Sequence, residues 1–213
     1  MEKLKSTLPN MLIVLTGICV IAGAILAAVN NMTAGPIAEA QALALEQAIK
    51  DVTPEFNNKP SEEAFMAVTP EGDSLKVYPA KMDGELVGVA VESINRNYKA
   101  FSGDIKVVVG FDANGKILNY SVQQHSETPG LGAKMQDWFS DENKPKQNIK
   151  GRQMPEKGLS VSKDGGDVDA ITAATITSRA FLDAVNRAYS AFMNTDATSS
   201  ATSTNEEGGN DHE

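Results

Sequence analysis

The sequence predicts an α+β protein. A single N-terminal transmembrane helix leads into an extracytoplasmic domain of antiparallel sheet hairpins and packing helices, followed by a disordered acidic C-terminal tail. Three observations carry this reading. Residues Met11–Val29 hold no charge. Two strand–turn–strand patterns lie between Ser74 and Gln124. A helical apolar spacing runs from Ala173 to Met193, after which large apolar side chains stop. The 213 residues suffice for one domain with a core plus extensions.

Met11–Val29 as a helix spans roughly 28 Å, the thickness of a bilayer core. Lys3 and Lys5 precede it, and the next Lys or Arg is Lys50. The positive-inside rule therefore puts residues 1–10 in the cytoplasm and the body outside. A cleaved signal peptide is the rival reading, but the apolar run exceeds the usual length of ~7–15 residues. Cys19, the single cysteine, lies inside this run and reads as a packing residue.

Residues 30–60 read as a stalk helix and linker. Thr33 is a possible cap and Pro36 suits a first turn. Ile37, Ala40, Leu43, Ala44, Gln47 and Ala48 keep helical spacing, and Thr53–Pro60 holds two prolines. Residues 61–193 form the main domain. Ser74–Ala80 and Glu85–Ile94 flank a Lys81–Gly84 turn. Ile105–Phe111 and Lys116–Gln124 flank a turn ending in Asn114-Gly115, a strong hairpin signal. The connection Tyr98–Gly103 carries two aromatics, which either cap a core, the commoner use, or contact a flat ring. Gly132–Ser140 reads as a short helix, Asp141–Arg152 as a polar surface loop and Leu159–Ser162 as one more strand.

In the C-terminal helix Phe181, Leu182, Val185, Ala188, Tyr189 and Phe192 recur at helical spacing. Asp183, Asn186, Arg187 and Ser190 fall on the opposite side. Residues 194–213 are small, polar and acidic, a composition that reads as disorder.

Composition excludes several function classes. The net charge is −9, which argues against a nucleic-acid partner. One cysteine and two histidines, His125 and His212, give poor support to a thiolate cluster, a histidine metal site or a Ser-His-Asp triad.

Two stretches carry chemistry. The first is His125–Gly132 with Lys134, directly after a strand. Pro129 fixes a backbone angle, and Gly130 and Gly132 permit close approaches. Glu127 and Thr128 offer hydrogen bonds to a ring edge, and Leu131 can cover a face. A plain strand-to-helix turn needs the same glycines, and both readings stand. The second is Asp169–Ser178, with four hydroxyls and three alanines. A helix starting near Ala173 makes Thr172 its cap and puts Thr175 in a first turn that favours anions. Asp169 reads as a cap or as a metal holder during a modification step. Simple helix capping by these hydroxyls is the competing reading.

Asp169–Ser178 closely resembles the flavinylation motif of FMN-binding domains in bacterial respiratory complexes. The resemblance adds an acid, a Ser/Thr three residues later and an Ala-Thr pair whose threonine bears FMN through a phosphoester. That threonine corresponds to Thr175. His125–Gly132 resembles the same family's second signature. Two family members share these features, the G subunit of the Rnf ferredoxin:NAD oxidoreductase and the C subunit of the sodium-translocating NADH:quinone reductase. The short body and His125 are more similar to the former. Ala173 and Ala100 stand where relatives commonly carry glycine.

The resemblance makes residues 61–193 an FMN-binding domain in the cytoplasmic (inner) membrane's outer compartment. It implies covalent FMN on Thr175, with Glu127, Thr128, Gly130, Leu131, Gly132 and Lys134 around the ring. Thr172, Ala174, Thr177 and Ser178 then surround the attachment point, and Asp169 serves recognition by a flavin transferase. It also implies other membrane and iron–sulfur subunits as partners, and a redox role that this chain does not perform alone. A non-redox, membrane-anchored binding module is the alternative of a different class.

Overall fold

The computed structural model describes residues 7–203, with side chains through Thr195. The chain divides into two compact units, one ending at Ala44 and one beginning at Leu45. Helix α1 runs from Leu8 to Val52 and is, among the described residues, the one helix long and apolar enough to cross a membrane. Its Leu, Ile and Val side chains between Leu12 and Val29 are exposed. Such surface costs ~25 cal/mol per Å² in water and suits lipid instead.

No new helix begins at Thr33. The Thr33 hydroxyl donates back to the Val29 carbonyl (2.9 Å), a bond made inside a helix rather than at its start. Pro36 lies within α1, where a proline forgoes one backbone hydrogen bond and crowds the carbonyl of the preceding turn.

The second unit is built on a five-stranded antiparallel meander. Its strands are β1 (Phe65–Val68), β2 (Ser74–Met82), β3 (Glu85–Ile94), β4 (Lys106–Phe111) and β5 (Ile117–Gln124), in sheet order β1-β2-β3-β4-β5. Both expected hairpins form. Asp83 (φ 53°) and Gly84 (φ 89°) make a two-residue turn with both angles positive, which matches the right-handed twist of the strands. In the second hairpin the Asp112 carboxylate accepts the N–H groups of Asn114 (2.8 Å) and Lys116 (2.9 Å). Strand β1 adds to the four strands expected. Leu159–Ser162 is not a strand: Val161 makes one isolated parallel bridge to Val168.

Alternation along the strands buries both faces. Val77, Val89, Val91, Val107, Val109 and Phe111 face one core, with helix α3 (Thr175–Ser203) against it. Phe181 anchors that core, stacked on Phe139 at 4.6 Å and edge-on to Tyr120 at 5.0 Å. Tyr120 donates its hydroxyl to the carbonyls of Met135 and Gln136 (2.9 and 2.7 Å), which holds helix α2 (Met135–Trp138) to β5. On the other face Tyr78, Ala90 and Val108 meet Ala48, Ile49 and Val52 from the end of α1. A side chain at Gly110 would strike the Val52 carbonyl, so glycine permits this close packing.

Helix α3 differs from the sequence expectation at both ends and on its polar side. It starts at Thr175, and its backbone stays helical to Ser203, past the expected end at Met193. The rest of the expected tail, residues 204–213, lies outside the described residues. Asp183 and Arg187, expected to face away, are 6% and 3% exposed. Arg187 pairs with Asp73 at 2.6 Å. The Asp183 carboxylate accepts the backbone N–H groups of Arg96 (2.7 Å), Asn97 (2.9 Å) and Tyr98 (3.4 Å). It thereby anchors the Tyr98–Gly103 connection to α3. Asp183→Ala leaves these donors without their acceptor and is expected to cost about 2–4 kcal/mol, measured by chemical denaturation.

Candidate functional site

A cavity of about 340 Å³ opens in the second unit where three segments meet, within the size range of small-molecule sites. Phe101 comes from the β3–β4 connection. Glu127, Thr128, Leu131 and Gly132 come from the loop after β5. Ala173, Ala174, Thr175, Ile176 and Thr177 come from the start of α3. The two stretches singled out in the sequence are therefore two walls of one cavity.

The loop wall is a tight turn. Leu131 N–H donates to the Thr128 carbonyl (3.1 Å), with Pro129 and Gly130 at the central positions. Gly130 has φ 79°, the angle that a type II turn requires at that place. Gly132 serves differently. A Cβ there would lie 2.6 Å from Glu127 Oε2 and 2.7 Å from Thr177 Oγ1. The absent side chain lets the loop close down on α3.

Glu127 joins all three segments. Its Oε1 accepts the Ser102 N–H (2.8 Å), and its Oε2 accepts the Thr177 hydroxyl in a short bond. Both oxygens of this buried carboxylate are thus engaged by the protein itself. Residue type alone suggests Glu127 for a ring edge; here it is the clasp that fixes the cavity's shape.

The helix wall begins with a turn in which Ala174 N–H donates to the Ile171 carbonyl (2.9 Å). Ala173 has φ 60°, a left-handed conformation that costs a residue with a Cβ roughly 1 kcal/mol or more. The helix therefore starts two residues later than expected, and Thr172, exposed in that turn, does not cap it. The first helical bond runs from Ser178 N–H to Ala174 O (3.0 Å). The N–H groups of Thr175, Ile176 and Thr177 precede that ladder, at the positive end of α3, and the first turn carries no acid. Ala173→Gly is expected to raise stability by about 0.5–1 kcal/mol, read as an upward shift in thermal midpoint.

The four hydroxyls have different surroundings. Thr175 is half-buried, and its Oγ1 lies 3.4 Å from Lys163 Nζ. Thr177 is buried and bonded to Glu127. Ser178 is buried; its Oγ accepts the Ile171 N–H (2.9 Å) and donates to Ala174 O (3.0 Å). Asp169 is held by the Ser162 hydroxyl (2.7 Å), and its carbonyl accepts the Trp138 indole N–H (2.9 Å).

Of the residues expected at the site, Glu127, Thr128, Leu131, Gly132, Ala174, Thr175 and Thr177 line the cavity. Gly130 makes the loop's turn and Ser178 holds the start of α3 through Ile171 and Ala174, and neither is among the lining residues. Lys134 is exposed at the end of a short 3-10 turn, and it and Thr172 are not among the lining residues. Phe101, Ala173 and Ile176 line it as well, beyond the residues expected. Phe101 is one of the two aromatics that the sequence leaves ambiguous. The core alternative fails for them, since Tyr98 and Phe101 are 52% and 70% exposed. Ile176 sits on the solvent side of the helical pattern and gives no signal.

The arrangement fits a flavin mononucleotide. Phe101, Leu131 and Ile176 offer apolar surface to a flat ring, and the start of α3 offers free N–H groups to a phosphate. Fold and cavity together define an FMN-binding domain, and the FMN-binding domain family matches residues 101–190. Three curated relatives extend the likeness beyond that domain. The G subunit of the ion-translocating oxidoreductase complex of Escherichia coli is 37% identical over 173 residues, 76% of this chain and 80% of the relative. That of Shewanella amazonensis is 34% identical over 193 residues, 86% of each chain. That of Salmonella typhi is 37% identical over 171 residues, 76% of this chain and 80% of the relative. The chain belongs to this family, the G subunits of ion-translocating oxidoreductase complexes.

Proposed function

We propose that the chain is a membrane-anchored electron-transfer flavoprotein subunit of an Rnf-type ion-translocating ferredoxin:NAD oxidoreductase. FMN is carried covalently on Thr175 through a phosphoester. The observation that supports this best is the convergence of Thr175 and the Glu127–Gly132 loop on one cavity of suitable size. Thr175 is the one hydroxyl of the four that is both on the cavity wall and free of a bond to the protein backbone or to Glu127.

FMN supplies the redox chemistry when bound; the chain's residues hold it and limit its surroundings. Phe101, Leu131 and Ile176 would cover the ring with apolar surface. Glu127 keeps the walls together through its bonds to Ser102 and Thr177. Lys134, exposed on the same loop beyond the lining residues, is the loop's cation. Gly130 lets the loop turn, and Thr172 and Ser178 shape the approach to Thr175. The relatives' shared name supports a place among the other subunits of an oxidoreductase complex; in this reading those are membrane and iron–sulfur subunits, and the chain relays electrons without turning over ferredoxin or NAD alone. The apolar stretch of α1 anchors it in the inner membrane. Lys3 and Lys5 set the N-terminus in the cytoplasm, with the FMN domain on the other side. A flavin transferase, which reads Asp169, attaches the cofactor there.

The reading is tested on protein made together with its flavin transferase and denatured on a gel. A fluorescent band and an intact mass raised by one FMN less one water are expected. A dark band at the unmodified mass would remove the covalent reading, and non-flavin subunits that copurify decide the complex.

A further inference from the structure

The turn Ser162–Asp164 touches the Asp169–Arg179 stretch at three points. Ser162 Oγ donates to Asp169 Oδ1 at 2.7 Å. Asp164 receives two N–H groups of Arg179, each at 2.7 Å. Between these two anchors, Lys163 Nζ stands 3.4 Å from Thr175 Oγ1. The turn's backbone is fixed as well. Ser162 N–H donates to Val168 O (2.8 Å), Gly165 closes it at φ 85°, and a side chain at Gly166 would strike Ser160.

The charges in this cluster are unequally satisfied. Asp164 is committed to Arg179, whose guanidinium hydrogen bonds hold its carboxyl below the usual value. Asp169 is committed to Ser162. Among the described residues Lys163 makes no ion pair, and its one side-chain hydrogen bond goes to a neutral hydroxyl. A flexible, strongly hydrated ammonium gains little from such a contact, whereas an anion at the same place would hold it.

We infer that Lys163 is the cation that pairs with the phosphate of a phosphodiester on Thr175, and that the Ser162–Asp169 and Asp164–Arg179 bonds lock the turn that presents it. This rests on Thr175 as the attachment residue. Phosphorus on Oγ1 places its two non-bridging oxygens, which share one negative charge, two bonds from Oγ1 and within the compass of an ammonium already 3.4 Å from Oγ1. Lys163 thus fixes the tethered end of the cofactor, while the cavity walls take the ring.

The test uses the full chain in detergent, made with its transferase, as wild type, Lys163→Met and Lys163→Arg. A peptide map of the wild type comes first, because flavin absent from Thr175 overturns the attachment reading and this one with it. With flavin on Thr175, phosphorus NMR is recorded from about 0.05 to about 0.5 M salt, a range that collapses the screening length severalfold. The wild-type resonance is expected to move with salt, the Lys163→Arg resonance to do the same, and the Lys163→Met resonance to stay at one salt-independent position. A Lys163→Met resonance that matches the wild type at every salt concentration overturns the inference while leaving Thr175 as the site. Loss of attachment in Lys163→Met with attachment kept in Lys163→Arg supports a cation acting on phosphate. Loss in both contradicts it, since the lysine would then be needed for its shape and not its charge.

Discussion

Thr175→Ala is expected to give a folded domain that carries no covalent flavin. Thr175 is the first residue of α3, and its hydroxyl touches only Lys163 among the described residues. Alanine is a good helix former, so the stability change should stay within about 0.5 kcal/mol. Attachment, in contrast, should vanish, because the ester oxygen is gone. In-gel fluorescence of denatured protein reads the loss, and the thermal midpoint shows that the fold is intact. The neighbouring hydroxyl gives the contrast. Thr177→Ala removes the donor to buried Glu127 Oε2, which should cost about 1–3 kcal/mol and loosen the cavity without removing the ester oxygen. A Thr175→Ala protein that still fluoresces after denaturation would mean that another hydroxyl holds the cofactor.

The second large effect is expected at Gly132. An added methyl would lie 2.6 Å from Glu127 Oε2, 2.7 Å from Thr177 Oγ1 and 2.9 Å from Thr177 Cγ2. These are atoms of a buried, mutually bonded pair and cannot swing aside. Gly132→Ala should therefore destabilise the domain by about 1–3 kcal/mol. For a domain of this size that lowers the thermal midpoint by roughly 2–4 °C per kcal/mol. The flavin-bearing fraction should fall as well, because the loop wall is pushed off α3. Thr177→Ala in the same chain deletes two of the three obstructing atoms, so the double variant should lose less than the two single losses combined. Strict additivity would show that the strain lies elsewhere.

What can be read from the sequence is local. Both hairpins are legible because Asp83-Gly84 and Asn114-Gly115 specify their turns, and the apolar stripe of α3 marks its core face. The short strand Phe65–Val68 is followed by a legible turn, Thr69-Pro70-Glu71-Gly72, but four residues carry too little alternation to mark a strand, and it is defined by its pairing with β2. Periodicity assigns Asp183 and Arg187 to solvent because it treats every polar residue as outward. Their partners lie at Arg96, Asn97, Tyr98 and Asp73, far away in the chain. Glu127 and Thr177 are each conspicuous in sequence, but the bond that makes their two stretches one cavity spans 50 positions. The start of α3 is hard to place because alanine seldom takes the left-handed angle found at Ala173. Lys163 carries no sequence signal for a similar reason. Its relation to Thr175 depends on two other pairs, Ser162 with Asp169 and Asp164 with Arg179.

The central claim is that FMN sits on Thr175, and fragment sequencing of one peptide tests it most directly. Trypsin cleavage after Lys163 and Arg179 releases Asp164–Arg179, which contains Thr172, Thr175, Thr177 and Ser178. From protein made with its flavin transferase, this peptide should be heavier by one FMN less one water, with fragment ions that place the added mass on Thr175. An unmodified peptide accompanied by flavin in the denatured filtrate, or the added mass on Thr172, Thr177 or Ser178, would contradict the account.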